Sequence, residues 1–366
     1  MTKSSSSQAY TPDHASPPGD LVQEYLEELG ISARELARRC GRSGKLMAEI
    51  VSGKAPLEPA TALQLERVLD VPASVWSNME AAYQLRQART AESEDFAASY
   101  AWAKAFPLAS LADRGYLSRV DDKAEQVKEV LKFFGVGGVS ACEDHINELL
   151  QVDYRTSPKF DNDQWSLAAW LRIGERHAFD IDCQDYDRDG CLAALKDIRG
   201  LTLGAFKEAL PTIQAKCAAA GVAVVVEPAL PKIRASGVSR WLTPRKGLIQ
   251  QTLRYKSEDH FWFTFFHECA HLILHSRKTI FIDMLQGAGS AGPKEEAEAN
   301  TWAADFLVPS AAMRSFRLSF AGTEGEVRNF ARSLGIAPGI VVGQLQHDRV
   351  IPFTALNKLK AYQRDT

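Results

Sequence analysis

The run Phe265-Phe266-His267-Glu268-Cys269-Ala270-His271-Leu272-Ile273-Leu274-His275 limits what this chain can fold into more than any other stretch. It sets H-E-x-x-H inside an apolar segment, with Phe261, Trp262 and Phe263 just ahead of it. A segment apolar on nearly every side predicts a buried helix. On a helix, His267 and His271 stand one turn apart on one face. Two imidazoles and a carboxylate inside a core need partners, because such groups are costly to bury unsatisfied. Imidazoles so placed fit two corners of a zinc tetrahedron. Glu268, beside the first of them, reaches a water at the metal more readily than the metal itself, which is the place of a general base. The competing reading is a core helix whose histidines hydrogen-bond to backbone. His275 falls one turn beyond His271, too far along a straight helix to share the metal, and reads as a supporting or surface group.

A third ligand has to come from elsewhere. Residues 295–309 follow a turn containing Gly287, Gly289, Gly292 and Pro293, and read as a helix that ends near Pro309. Ala299, Ala303, Phe306 and Leu307 form its apolar stripe, and Glu296 lies on that stripe, three residues before Ala299. Glu296 is therefore the expected third ligand. Asn300, one turn on, is expected to hydrogen-bond a ligand from behind. Glu295 is a substitute, Glu298 falls to the side, and acidic residues at a helix start also answer the helix dipole with no metal involved.

His267-Glu268-x-x-His271 followed by Glu296-x-Glu298-Ala299-Asn300-x-Trp302-Ala303 resembles the ImmA/IrrE family of metallopeptidases. The resemblance covers roughly residues 200–350. Trp302 stands where that family usually has Phe, and Ala270 where it commonly has Gly. The resemblance implies a gluzincin-type zinc site of two His and one Glu, with manganese as the alternative ion. It also implies cleavage of helix-turn-helix repressors.

Before the motif, the periodicity is helical. Residues 1–18, with Ser4 to Ser7, Pro12, Pro17 and Pro18, read as a disordered tail. From 19 to 92 the pattern is a string of short helices. Leu21, Tyr25, Leu26 and Leu29 stripe the first, which Gly30 closes. Ser32 and Glu35 form a capping box on the second, and Ser43 opens a third carrying Met47, Ile50 and Val51. A helix, a tight turn and a second short helix make a helix-turn-helix pattern. The stretches Ser32-x-x-Glu35-Leu36-Ala37, Ile50-Val51-Ser52-Gly53-Lys54-Ala55-Pro56 and Ala60-x-x-Leu63-x-Leu65-Glu66 resemble XRE-type DNA-binding domains, particularly the HigA-antitoxin branch. Arg34, Arg38, Arg39, Arg42, Lys45 and Lys54 outnumber Glu35 and Glu49 over residues 34–54. Arg42, Ser43, Lys45 and Lys54 are expected at the major groove or its phosphates. Gly44 and Leu46 make no bidentate base contacts, so discrimination between sequences is expected to be modest. A protein-docking module of the same fold is the competing reading.

Residues 93–199 read as a helical linker or a dimerisation region, and the two readings stay open. Helices are expected over 125–134, 167–179 and 192–198. Asp180, Asp182, Asp185, Asp187 and Asp189 crowd one loop that lacks the closing Glu of a calcium-binding loop, so it reads as solvated. Residues 201–220 predict an amphipathic helix. Val222 to Val226, Gly237 to Leu242 and Gly247 to Leu253 predict strands. The family resemblance puts a substrate-holding sheet edge near Leu248 to Leu253. Closing helices are expected over 327–334, 337–345 and 352–362. Tyr255 and His275 are candidates for oxyanion stabilisation.

The expected class is mainly α with a small β-sheet (α+β): an N-terminal helix-turn-helix domain, a helical middle region, and a zincin-like domain over 200–366. Charge and cysteine usage narrow the setting. The net charge of −3 over 366 residues leaves any nucleic-acid surface local. No apolar run is long enough to span a membrane, and no signal-peptide core opens the chain. The six cysteines form no C-x-x-C pair and read as reduced thiols of a cytoplasmic protein. The resulting expectation is a zinc endopeptidase that binds operator DNA and cleaves a repressor or itself, as a monomer or homodimer. Its rival is a repressor or antitoxin whose peptidase domain acts as sensor or scaffold.

Overall fold

The computed structural model describes residues 15–150, 164–252, 257–275, 280–284 and 293–362. They fall into two compact units, residues 1–100 with 121–127, and residues 101–120 with 128–366.

The first unit is built from α1 (Pro18–Leu29), α2 (Ala33–Arg39), α3 (Gly44–Val51), α4 (Pro59–Leu69) and α5 (Ala73–Ala98). Its punctuation follows the sequence, except that the Glu35 carboxylate turns to Arg38 and Arg39 instead of returning to Ser32 N to complete the expected capping box. Gly30 closes α1 at φ 61°, and the Ser32 hydroxyl accepts from Glu35 N at 3.2 Å to start α2. Ser43 does the same for α3, accepting from Leu46 N at 3.1 Å. Val22, Leu26, Leu36, Met47, Ile50, Leu65 and Trp76 form one core. Gly19 lets α1 meet the end of α3, since a Cβ there would lie 2.3 Å from Ile50 O. The fifth helix is the longest of this unit and runs from Ala73 to Ala98, past the expected domain end at residue 92.

The helices α6 (Tyr100–Ala103), α7 (Leu108–Asp113), α8 (Lys123–Phe134) and α9 (Val139–Leu150) come next. They are followed by α10 (Gln164–Asp180), α11 (Arg188–Gly200) and α12 (Phe206–Ala219). The crowded aspartates have a structural use: Asp187 caps α11, its carboxylate accepting from Asp189 N and Gly190 N at 3.1 and 3.0 Å. The expected single helix over 201–220 is interrupted. A 3-10 turn (Leu201–Leu203) ends at extended Gly204 before α12 begins.

The sheet of the second unit holds β1 (Val222–Val226), β2 (Ala235–Thr243), β3 (Lys246–Gln251) and β4 (Phe281–Met284) in the order β1-β3-β2-β4. The β1–β3 pair is parallel and the others are antiparallel. Both faces are covered, which explains the unbroken apolar run of β1. Val222, Val224 and Ile249 join the core of the motif helix α13 (Glu258–Leu274). Ala223, Val225 and Leu248 pack with Ala178 of α10 on the other face. Gln250 Nε2 also donates to Trp170 O at 2.7 Å, and Trp170 Nε1 to Glu227 O at 3.1 Å. Much of the expected middle region thus belongs to the same unit as the sheet.

One sequence expectation fails at the sheet. β3 is paired on both sides, so Leu248 to Gln251 is no free edge; the edges are β1 and β4. β4 itself was not foreseen, because four residues between turns carry too little periodicity. The unit closes with α14 (Pro293–Leu307), α15 (Ser310–Ser319), α16 (Glu324–Leu334) and α17 (Pro338–His347). The helix expected over 352–362 is a series of turns with a 3-10 segment at Asn357–Leu359. Gln346 Nε2 donates to Phe353 O and Ala355 O, taking up carbonyls that a helix would have used internally, and also lies 2.9 Å from Asn357 Oδ1. Among the described residues, no helix is long and apolar enough to cross a membrane, and the six cysteines are free.

Candidate metal centre and nucleic-acid interface

The acidic pair Glu258 and Asp259 in its first turn suits the N-terminal end of α13. Phe261, Trp262, Phe265 and Phe266 bury the helix and fix its rotation. That rotation brings His267 and His271, 2 % and 1 % exposed, to one point: their Nε2 atoms lie 3.0 Å apart. Glu296 arrives from α14. Its Oε2 is 3.4 Å from His267 Nε2 and its Oε1 is 3.7 Å from His271 Nε2. These three residues offer donor atoms all within 4.8 Å of one another.

Tetrahedral bonds of about 2.0–2.2 Å set donor atoms about 3.3–3.6 Å apart. The three separations fall around that range. Glu296 Oε1 is buried and makes no hydrogen bond, although it carries acceptor capacity. His271 is held neutral: burial, then the charges of His267 and His275, push its pKa down to about 2. A neutral imidazole keeps a lone pair for a metal. The donor set therefore fits a divalent cation.

Glu268 is fully buried beside this point. It lies against β2 at Gly237, where an added Cβ would sit 2.6 Å from its Oε1. A glycine in a strand often marks close approach of this kind. Gly237 was read from sequence only as the start of a strand, and nothing in one sequence connects it to Glu268. Phe281 of β4 was missed with its strand; its ring stacks on His271 at 4.2 Å and 14°. Asn300 is exposed on α14. The polar side chain next to His271 on the far side of its ring is His275, whose Nδ1 lies 3.0 Å from His271 Nδ1. Tyr255 lies outside the described residues. Trp302, in the place of the family's Phe, stacks on Phe306 at 4.7 Å, and Phe306 meets Phe266.

In the first unit, Lys45 and Lys54 are exposed, and Lys45 Nζ lies 3.8 Å from Glu49 Oε1. Arg42 Nε donates to Gln64 Oε1 at 2.7 Å, which orients its guanidinium from α4. Ser43 is exposed, and its hydroxyl already accepts the cap bond of α3. Arg38 and Arg39 both bind Glu35, whose carboxyl they hold down at about 2. The free positive charge of this stretch is thus smaller than its count of basic residues.

Residues 243–342 match the family model described as the IrrE N-terminal-like domain, a peptidase family. The N-terminal part matches regulators of the helix-turn-helix class. The chain is 37% identical over 71 residues to the uncharacterized HTH-type transcriptional regulator YddM of Escherichia coli K12, covering 19% of this chain and 76% of that one. It is 38% identical over 72 residues to virulence-associated protein I of Dichelobacter nodosus, covering 19% of this chain and 67% of that one. The chain joins an IrrE-like peptidase domain to a helix-turn-helix domain. A solved structure from Nostoc punctiforme, described as an antidote protein of a plasmid maintenance system, is 22% identical. It covers 23% of this chain and 91% of its own at a TM-score of 0.22, too low to bear on the fold. The metallopeptidase type of the C-terminal domain implies a metal ion, and the His267–His271–Glu296 cluster is a place for one.

Proposed function

We propose that this chain is a zinc-dependent endopeptidase that regulates transcription by cleaving a helix-turn-helix repressor, or its own front domain. The observation that carries the reading is the convergence of His267, His271 and Glu296 beside a buried Glu268. His267 Nε2, His271 Nε2 and a Glu296 carboxylate oxygen would hold the ion. When bound, zinc supplies Lewis acidity and brings the pKa of its water to about 7. Glu268 would take a proton from water on a carboxylate oxygen and give it to the leaving amine. The missing side chain of Gly237 leaves room for that carboxylate against β2, and Phe261, Trp262, Phe265 and Phe266 bury the helix that carries it.

The front domain would bring the peptidase to its target. Lys45 and Lys54 would contact phosphates, with Arg42 and Ser43 at the groove. The relative named as an HTH-type transcriptional regulator supports this role, as does the exposure of both lysines. The test is to incubate the purified full chain with zinc or manganese and the repressor encoded nearest to its gene. Mass spectrometry should show discrete fragments that a chelator abolishes. An intact repressor, together with tight operator binding by the chain, would favour a regulator whose peptidase domain only senses.

A further inference from the structure

The histidine motif does not end at its second ligand. His275 is the cap residue at the end of α13, with φ −110° and ψ 176°, so the chain leaves the helix there. Leaving the helix brings its ring back towards His271, and its Nδ1 comes within 3.0 Å of His271 Nδ1. On its other side, His275 Nε2 lies 3.2 Å from Glu298 Oε2, one turn of exposed helix from Lys294. The His275 side chain is 6% exposed, and Phe281 lies against both imidazoles, at 4.2 Å from His271 and 5.3 Å from His275.

The polarity of this chain has one solution that suits a metal. An ionised carboxylate accepts hydrogen bonds and donates none. Where the His275 ring carries a single proton, Glu298 therefore requires it on Nε2. That leaves His275 Nδ1 as an acceptor, so the hydrogen bond between the rings must be donated by His271 Nδ1. With its proton on Nδ1, His271 presents an Nε2 lone pair towards His267 and Glu296. The opposite tautomer would put a proton on the nitrogen that faces the other two donors. A metal-bound imidazole usually gains this orientation from one carboxylate or carbonyl; here a histidine stands between them.

We propose that His275 and Glu298 are positioning residues. Together they hold His271 in the tautomer that binds a divalent cation, and so set the affinity of the His267–His271–Glu296 site. The proposal rests on the metal-site reading above. The experiment is a zinc titration of the full chain against a competing chelator, for wild type, His275→Ala, His275→Asn and Glu298→Ala, with folding followed by circular dichroism. Wild type should bind one zinc. His275→Ala and Glu298→Ala should bind about 10–100-fold more weakly, the range for loss of such a partner. The amide oxygen of His275→Asn sits near the lost Nδ1 and should recover most of the affinity. A double Ala variant should bind no worse than His275→Ala, because both changes break one chain. If His275→Ala does not fold, Glu298→Ala decides, since that carboxylate is 48% exposed and contributes little to the core. Wild-type affinity in Glu298→Ala and His275→Ala would overturn the proposal while leaving the site intact. An Asn variant as weak as the Ala variant would also overturn it, because ring packing rather than an acceptor would then matter. A wild-type chain that binds no zinc would overturn the site reading itself, and this proposal with it.

Discussion

Glu268 owes its place to a residue without a side chain. Gly237 gives the carboxylate its room on the sheet, and a methyl group there would press on it at 2.6 Å. Gly237→Ala is therefore expected to leave zinc content unchanged and to cut the cleavage rate by about 100-fold, the usual penalty for an ångström of misplacement. Equal rates in a fragment-release assay would show that Glu268 adjusts freely. Glu296 has a different role. If it is one of three donors to a zinc ion, as proposed, Glu296→Ala should lose zinc on desalting while keeping its helical spectrum. Zinc retained in full by metal analysis would move the ligand to a neighbour such as Glu295. At this scale the sequence was legible wherever a rule of spacing applied. The four-residue step from His267 to His271, and the stripe that turned Glu296 inward, both follow from helical geometry. Gly237, Phe281 and Glu298 obey no such rule, because each meets the site across the fold.

At the scale of elements, α13 is held from both ends. Its last turn meets Phe281 of β4, and its first turn is tied to the C-terminal segment. Glu258 N donates to Ala361 O at 2.9 Å, and Lys360 Nζ lies 2.8 Å from Asp259 Oδ2 with both side chains under a tenth exposed. Removing one partner of a buried ion pair strands the other, at a cost of about 3–5 kcal/mol. Lys360→Met should therefore destabilise the second unit by that amount in urea unfolding. Asp259→Leu added to it should restore part of the loss; no loss in the single variant would mean that water reaches the pair. In the front domain, the caps at Ser32 and Ser43 place α3 with Lys45 outward. If α3 lies along duplex DNA, each phosphate contact contributes about −0.9 to the slope of log affinity against log salt. Lys45→Ala should lower both the affinity and the magnitude of that slope, as read by titration at several salt concentrations. An unchanged slope would assign α3 to protein docking. Helices with caps and stripes are legible in the sequence; α7 and β4, at six and four residues, are too short to carry a period.

Across the whole molecule, the chain joins two domain types, helix-turn-helix and IrrE-like peptidase, and folds into two compact units. The α+β class and the two family resemblances were readable because both rest on local motifs. The extent of the second unit was not. Residues 164–200 join its cores through Trp170, Ala178, Leu195 and Ile198, and a helical stripe does not say which surface it will cover. The substrate edge was misplaced for a related reason, since strand order is a property of pairing rather than of any one strand. If the buried constellation on α13 and α14 is a hydrolytic metal site, as proposed, one variant separates binding from chemistry. Glu268→Gln keeps both imidazoles and Glu296 but removes the base. With zinc content and repressor cleavage measured side by side, the variant should hold as much zinc as wild type and release no fragments. Cleavage at the wild-type rate by Glu268→Gln would contradict the account.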